Sequence, residues 1–257
     1  MIHVLLVVFI KEVENKMKKE KFIYNPKVIG SGIIECIPQR GKCPNNCEDC
    51  FFQSGRSYLE PLEENLPHIP TKEMARGRIV RVNDGNDSNN QRELVEKTAS
   101  QFTDYFFNTS VKRRLGEFPA PVVLTINPAK LTDFGFVKVR PVPKNLMFVR
   151  FRTNAWNLYI LDEAVEFYTS LKVPVVITFM AYYSLTIPPK HQEQYEWKKR
   201  TINSYWVLKR DVQEDIMSHY LNNPYVYSCG IKGQYSCSFC GNCIREYYNT
   251  KERMKTK

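Results

Sequence analysis

Short apolar runs bounded by prolines, glycines and polar turns recur along the chain, and stretches of helical periodicity lie between them. Ile33 to Pro38, Gly77 to Val82, Pro121 to Ile126, Leu146 to Phe151, Val173 to Phe179 and Tyr225 to Tyr227 each read as a strand. Runs of this length, apolar at most positions, suit strands covered on both faces. Gln91 to Phe107 sets Leu94, Val95, Thr98, Phe102, Tyr105 and Phe106 at helical spacing, and Tyr159 to Leu171 does the same with Leu161, Ala164, Val165, Tyr168 and Leu171. Tyr195 to Tyr220 is basic and aromatic and reads as largely helical. Ser54 to Met74, with three prolines and several acids, reads as an irregular connection with a short helix at most. Six strands joined by helical returns predict a parallel sheet, because parallel neighbours need a long crossover.

Composition narrows this picture. A chain of 257 residues with 43% hydrophobic content can bury a sizeable core, and single α/β barrels often reach this size. The opening Met1 to Ile10, MIHVLLVVFI, is shorter than the roughly 20 apolar residues a bilayer span needs, and it lacks the basic start and small-residue cleavage site of a signal peptide. It reads either as an edge strand or as sequence upstream of a true start at Met17, so no membrane or export role is expected. The net charge of +10, from 37 Lys and Arg against 27 Asp and Glu, favours anionic partners and leaves room for a nucleic-acid substrate. The lysines, however, are spread along the chain. The basic, aromatic stretch from Tyr195 to Trp206 would suit base stacking, but equally an amphipathic helix with its aromatics inward.

The chemistry lies in the cysteines. Seven of the eight fall in two tight groups, a pattern that favours metal in a reducing cytoplasm over a secreted disulfide framework. The first group, Gly41-Lys42-Cys43-Pro44-Asn45-Asn46-Cys47-Glu48-Asp49-Cys50-Phe51, directly follows the first predicted strand. Its C-x3-C-x2-C spacing can bring three thiolates to one side of a loop and supplies no fourth. A structural zinc site is closed by four ligands, whereas three thiolates on a cubane cluster leave one iron open. The second group, Cys229, Cys237, Cys240 and Cys243, could close a site with four thiolates. An iron–sulfur cluster and zinc are both candidates there. A third reading leaves Cys229 as a free hydrogen-atom donor. Cys36 reads as a small buried hydrophobe, and His3, His68, His191 and His219 show no metal spacing.

A C-x3-C-x2-C loop after a first strand near the N-terminus resembles the radical S-adenosylmethionine (radical SAM) superfamily. The residue before the third cysteine, usually aromatic there, is Asp49 here, with Phe51 just after it. The resemblance implies a partial (β/α)6 TIM-like barrel over residues 22–228, preceded by an extension over 1–21. A small cysteine-rich C-terminal extension with a basic tail would follow over 229–257. It implies a [4Fe–4S] cluster on Cys43, Cys47 and Cys50, with S-adenosylmethionine on the open iron. A reductant such as flavodoxin or ferredoxin would deliver the electron that cleaves it to a 5′-deoxyadenosyl radical, which abstracts hydrogen from a substrate. The turn after the second strand, Asn83-Asp84-Gly85-Asn86-Asp87, stands where the family holds the SAM amino group, with Asn83 and Asp84 the best candidates. It reads equally as an Asx-rich helix cap. By the same resemblance Arg152 is a candidate for the SAM carboxylate, and Thr178 and Tyr182 are weaker contacts. The competing class is a non-catalytic module with zinc at both cysteine groups, binding nucleic acid.

Overall fold

The computed structural model describes residues 22–47, 50, 52, 67–127, 138–183, 187–200, 204–229 and 236–256. Seven strands form one parallel sheet: β1 (Ile33–Cys36), β2 (Ile79–Val82), β3 (Tyr105–Thr109), β4 (Val122–Ile126), β5 (Leu146–Thr153), β6 (Val175–Phe179) and β10 (Val226–Ser228). Neighbours follow in chain order from β1 to β6, with β10 on the far edge, and every pairing in this sheet is parallel. The continuous apolar runs are explained by burial on both sides.

Alternation divides the strand residues between two faces. Ile34, Val80, Val82, Phe107, Leu124, Val149, Phe151 and Ile177 face helices α2 (Arg92–Ala99), α3 (Leu158–Ser170) and α4 (Arg210–Ser218), which contribute Val95, Leu161, Ala164 and Ile216 to that core. On the opposite face Ile79, Phe106, Val123, Phe148 and Val176 form a second apolar layer, closed by Tyr247 and Ile244 of the C-terminal helix α6 (Asn242–Lys255). Farther toward the carboxyl ends of the strands this face turns polar, with Glu35, Arg81, Asn108, Thr125, Arg150, Arg152 and Thr178. One sheet face thus has an apolar floor under a helix and a polar layer above it.

Two expectations are corrected. Helix α2 stops at Ala99, and Tyr105 to Phe107, read as the end of that helix, open the third strand of the sheet, which raises the strand count from six to seven. Phe102, Tyr105 and Phe106 fit a helical stripe, but the successive aromatics Tyr105, Phe106 and Phe107 are also strand formers, and the gap between β2 and β4 requires a ladder partner. Tyr195 to Tyr220 is not one helix. It contains β8 (Tyr195–Lys198) and β9 (Tyr205–Leu208), which join β7 (Ala181–Tyr182) in a small antiparallel sheet ordered β7-β9-β8, before α4 begins at Arg210. Within Ser54 to Met74 the described part holds a single short helix, α1 (Lys72–Ala75), opened by the Thr71 hydroxyl accepting from the Met74 amide. The extension over 1–21 lies outside the described residues. Among the described residues no helix is long and apolar enough to cross a membrane.

Candidate functional site

The first cysteine loop leaves the sheet at the carboxyl end of β1 and is tied down at three points. Ile37 and His68 exchange backbone hydrogen bonds of 2.7 and 2.8 Å. Gln39 Nε2 donates to the carbonyls of Asp87 (3.0 Å) and Asn90 (2.8 Å). Phe52 packs on Gly85 so closely that a Cβ there would lie 2.2 Å from its ring. Cys43, Cys47 and Cys50 are half-buried between these anchors, with Asn90 Nδ2 donating to the Cys43 sulfur at 3.3 Å.

Asp87 organises the surroundings. Its buried carboxylate accepts five hydrogen bonds: from Asn45 Nδ2 (2.9 Å) in the cysteine loop, the Asn89 amide (2.9 Å) in its own turn, and Thr109 Oγ1 (2.7 Å), the Ser110 amide (2.6 Å) and Ser110 Oγ (2.9 Å) at the end of β3. A carboxylate so placed joins loop, turn and strand end, and hydrogen bonds to charged groups are the strong ones. It belongs to the turn singled out in the sequence, whose two favoured residues also have partners within the chain. Asp84 pairs with Arg81 at 3.0 Å and accepts from Asn25 Nδ2 at 3.1 Å. Asn83 sits in the left-handed region (φ 63°) with its amide on the Cys36 carbonyl (2.8 Å) and its Nδ2 on Ser88 Oγ (3.2 Å).

Arg152 and Thr178 are register partners on β5 and β6. Burial pulls the Arg152 guanidinium down from its ordinary value, while Cys50, Tyr182, Cys47 and Tyr183, within electrostatic reach, hold it up. Tyr182 accepts a 2.7 Å bond from Asn154 Nδ2. The buried Oγ1 of Thr178, Oδ1 of Asn83 and Oε1 of Gln39 have no hydrogen-bond partner among the described residues.

The second cysteine group lies on the same sheet face. Cys229 follows β10, its amide bonded to the Ile177 carbonyl at 2.7 Å; Cys237 and Cys240 bound the short helix α5 (Cys237–Cys240), and Cys243 lies in the first turn of α6. All four line one pocket with Arg81, Arg150 and Phe148. The sequence reading did not single out Arg81 or Glu35, although a charge inside an apolar strand run is itself a signal. Arg81 forms a bidentate pair with buried Glu35, with Nε to Oε2 at 2.9 Å. Burial pushes the Glu35 carboxyl up and Arg81 pulls it back. Arg150 donates to Asn108 Oδ1 at 3.2 Å and Thr125 Oγ1 at 3.4 Å.

No family model, curated protein or solved structure matches the chain.

The site's chemistry is therefore read from its own residues. Among the described residues no three His, Cys, Asp or Glu side chains converge closely enough to hold an ion. The donor sets nonetheless suit thiophilic metal: three thiols on one anchored loop near a guanidinium, and four around one pocket with two guanidinium groups in its wall. Four thiolates around Zn²⁺ or around a [4Fe–4S]²⁺ core leave a net charge of about −2, which Arg150 offsets in part, whereas Arg81 is already paired with Glu35 and Asp84. Burial pushes the Cys43, Cys47 and Cys237 thiols up and Cys243 to about 12, so a metal bound at either group displaces protons.

Proposed function

We propose that the chain is a radical SAM enzyme on a partial (β/α)6-type barrel. In this reading Cys43, Cys47 and Cys50 hold a [4Fe–4S] cluster and leave one iron for S-adenosylmethionine. The observation that carries the reading is the position of three half-buried thiols at the carboxyl end of β1 in an all-parallel sheet whose strands neighbour each other in chain order. A singly wound parallel sheet is what a barrel strip requires, and in such barrels function gathers at the carboxyl ends of the strands. Once bound, the cluster and SAM supply one-electron cleavage of a sulfonium, the electron arriving from a flavodoxin- or ferredoxin-like reductant.

The chain's own residues prepare the place. Asp87 fixes the cysteine loop against β2 and β3. Arg152 offers a fork to the SAM carboxylate, and the Thr178 hydroxyl a hydrogen bond beside it. The carbonyl oxygens of Asn83 and Gln39 suit an ammonium donor. Asp84 serves the reading less directly, by holding Arg81. Cys229, Cys237, Cys240 and Cys243 form a second metal site, iron–sulfur or zinc, with Arg150 offsetting part of its charge.

Purification without oxygen tests this. The expected protein is brown, carries iron and acid-labile sulfide, and releases 5′-deoxyadenosine from SAM on reduction. Cys47→Ala is expected to abolish cleavage while the C-terminal metal remains. A colourless protein containing zinc alone, or cleavage retained in Cys47→Ala, overturns the proposal and favours the non-catalytic zinc module.

A further inference from the structure

The small sheet β7-β9-β8 is inserted between β6 and β10, on the route from the sheet to the second cysteine group. One end of it is packed: Tyr182, Tyr195 and Leu208 are buried against Ala155, Met180 and Ile187. Farther along β8 and β9 the packing thins, and Trp206 lies at the edge of that cluster. Trp197 is 39% exposed and pairs across the strands with Trp206, ring centroids 5.2 Å apart. On the opposite face Tyr183 and Tyr205 stand 5.9 Å apart, and the Arg200 guanidinium lies 5.0 Å from the Tyr205 ring centroid while donating to its hydroxyl at 3.1 Å. Lys198, Lys199 and Arg200 run consecutively at the end of β8, all exposed, with Glu196 engaging Lys198 at 2.6 Å.

Aromatic faces interleaved with cations are the chemistry that takes a planar base and its phosphate. Each stacked base contributes a sequence-tolerant increment, and each neutralised phosphate a salt-dependent one. Cross-strand aromatic pairs alone would account for a stable hairpin, but they require neither the exposure of Trp197 nor three cations in a row. An acidic protein patch would suit the cations but leave the tryptophan edge without a partner. The chain's net charge of +10 acts in the same direction at long range.

We propose that the described residues Trp197–Arg200 of β8 and its end, with Trp206 and the Tyr183–Tyr205 face, bind single-stranded nucleic acid. This binding does not depend on the radical SAM reading.

The test is fluorescence anisotropy with the full chain and labelled single strands of mixed sequence, about 20 nucleotides long, without SAM or reductant. RNA and DNA are run in parallel, and the tighter one identifies the strand chemistry. The expected result is saturable binding at about 50 mM salt that weakens about tenfold by about 200 mM. Trp197→Ala and Tyr205→Ala should each weaken it about fivefold or more. Lys199→Gln with Arg200→Gln should lower the salt slope by about 1.4. Circular dichroism confirms that each variant folds, and Tyr205→Leu replaces any alanine variant that does not. No binding to either strand, or binding unmoved by all of these substitutions, overturns the proposal. So does equal binding to polyglutamate or to phosphatidylserine vesicles. SAM cleavage without nucleic-acid binding overturns this inference alone, and nucleic-acid binding by a protein that cleaves no SAM overturns only the reaction.

Discussion

Single residues carry the candidate site through close packing and shared acceptors. In Asp87→Asn the side chain keeps its shape but turns an NH₂ toward donors that had been accepted. The expected cost is about 2–4 kcal/mol, read as a lower urea midpoint, and iron per chain should fall with it because Asn45 is released. An unchanged midpoint would mean that the five bonds do not hold the loop. Gly85→Ala forces the Phe52 ring away from a Cβ that would otherwise sit 2.2 Å from it, at a cost of about 1–3 kcal/mol. In Phe52→Ala the same glycine substitution should cost little, and a double-mutant cycle measures that coupling. His68 links the loop to pH. Its ring stacks on Phe22 at 4.1 Å, and burial lowers its pKa from 6.5 to about 4. Between those values the unfolded chain binds a proton that the fold refuses, so this contribution is full above about pH 6.5 and is lost as pH falls toward 4. Burial raises Glu35, so it titrates with the opposite sign in an overlapping window, and the quantity to read is the difference between parent and His68→Phe. The urea midpoint of the variant should fall less than that of the parent between pH 7 and pH 5. Parallel curves would remove His68 from the account.

At the scale of elements, the polar layer of the sheet depends on the floor beneath it. Tyr247 of α6 is 1% exposed, packs on Phe106 and donates its hydroxyl to Asp104 at 2.9 Å. Tyr247→Ala should cost about 3–5 kcal/mol and Tyr247→Phe about 1 kcal/mol, by chemical denaturation. A small cost for the alanine variant would mean that α6 is not the floor. Six strands were legible because a doubly buried strand is an apolar run of limited length bounded by turn residues. β3 was not, because Phe102, Tyr105 and Phe106 satisfy a helical period and only the ladder between β2 and β4 decides the matter. β8 and β9 were missed for a related reason: tryptophan and lysine in succession suit an amphipathic helix as well as a hairpin tip. The cysteine groups were legible because ligand spacing is local. The hub role of Asp87 was not, since its partners Asn45 and Thr109 lie 42 and 22 residues away. Nor were the companions of Arg81 and Arg150, which parallel register brings to one face.

For the molecule as a whole, the question is whether metal holds the fold together or occupies a fold already made. The apolar cluster on the helical face joins residues from β1 through β10 without using a clustered thiol, Cys36 being its only cysteine. The C-terminal helix is fastened independently of Cys243. Arg253 donates to the carbonyls of Lys144 and Leu146, and Asn242 Nδ2 to that of Ser228 at 2.9 Å. A chain anchored in this way differs from a zinc finger, in which metal binding and folding are one event. Removal of metal by a chelator under reducing conditions should therefore leave one cooperative unfolding transition and near-native circular dichroism. Protease sensitivity should rise only in the segments carrying Cys43 to Cys50 and Cys229 to Cys243. Replacing Cys237, Cys240 and Cys243 by serine should reproduce that pattern at the second site alone. Global unfolding on chelation would instead make the cysteine groups structural centres, and the case for an open-cornered cluster built for chemistry would weaken with it.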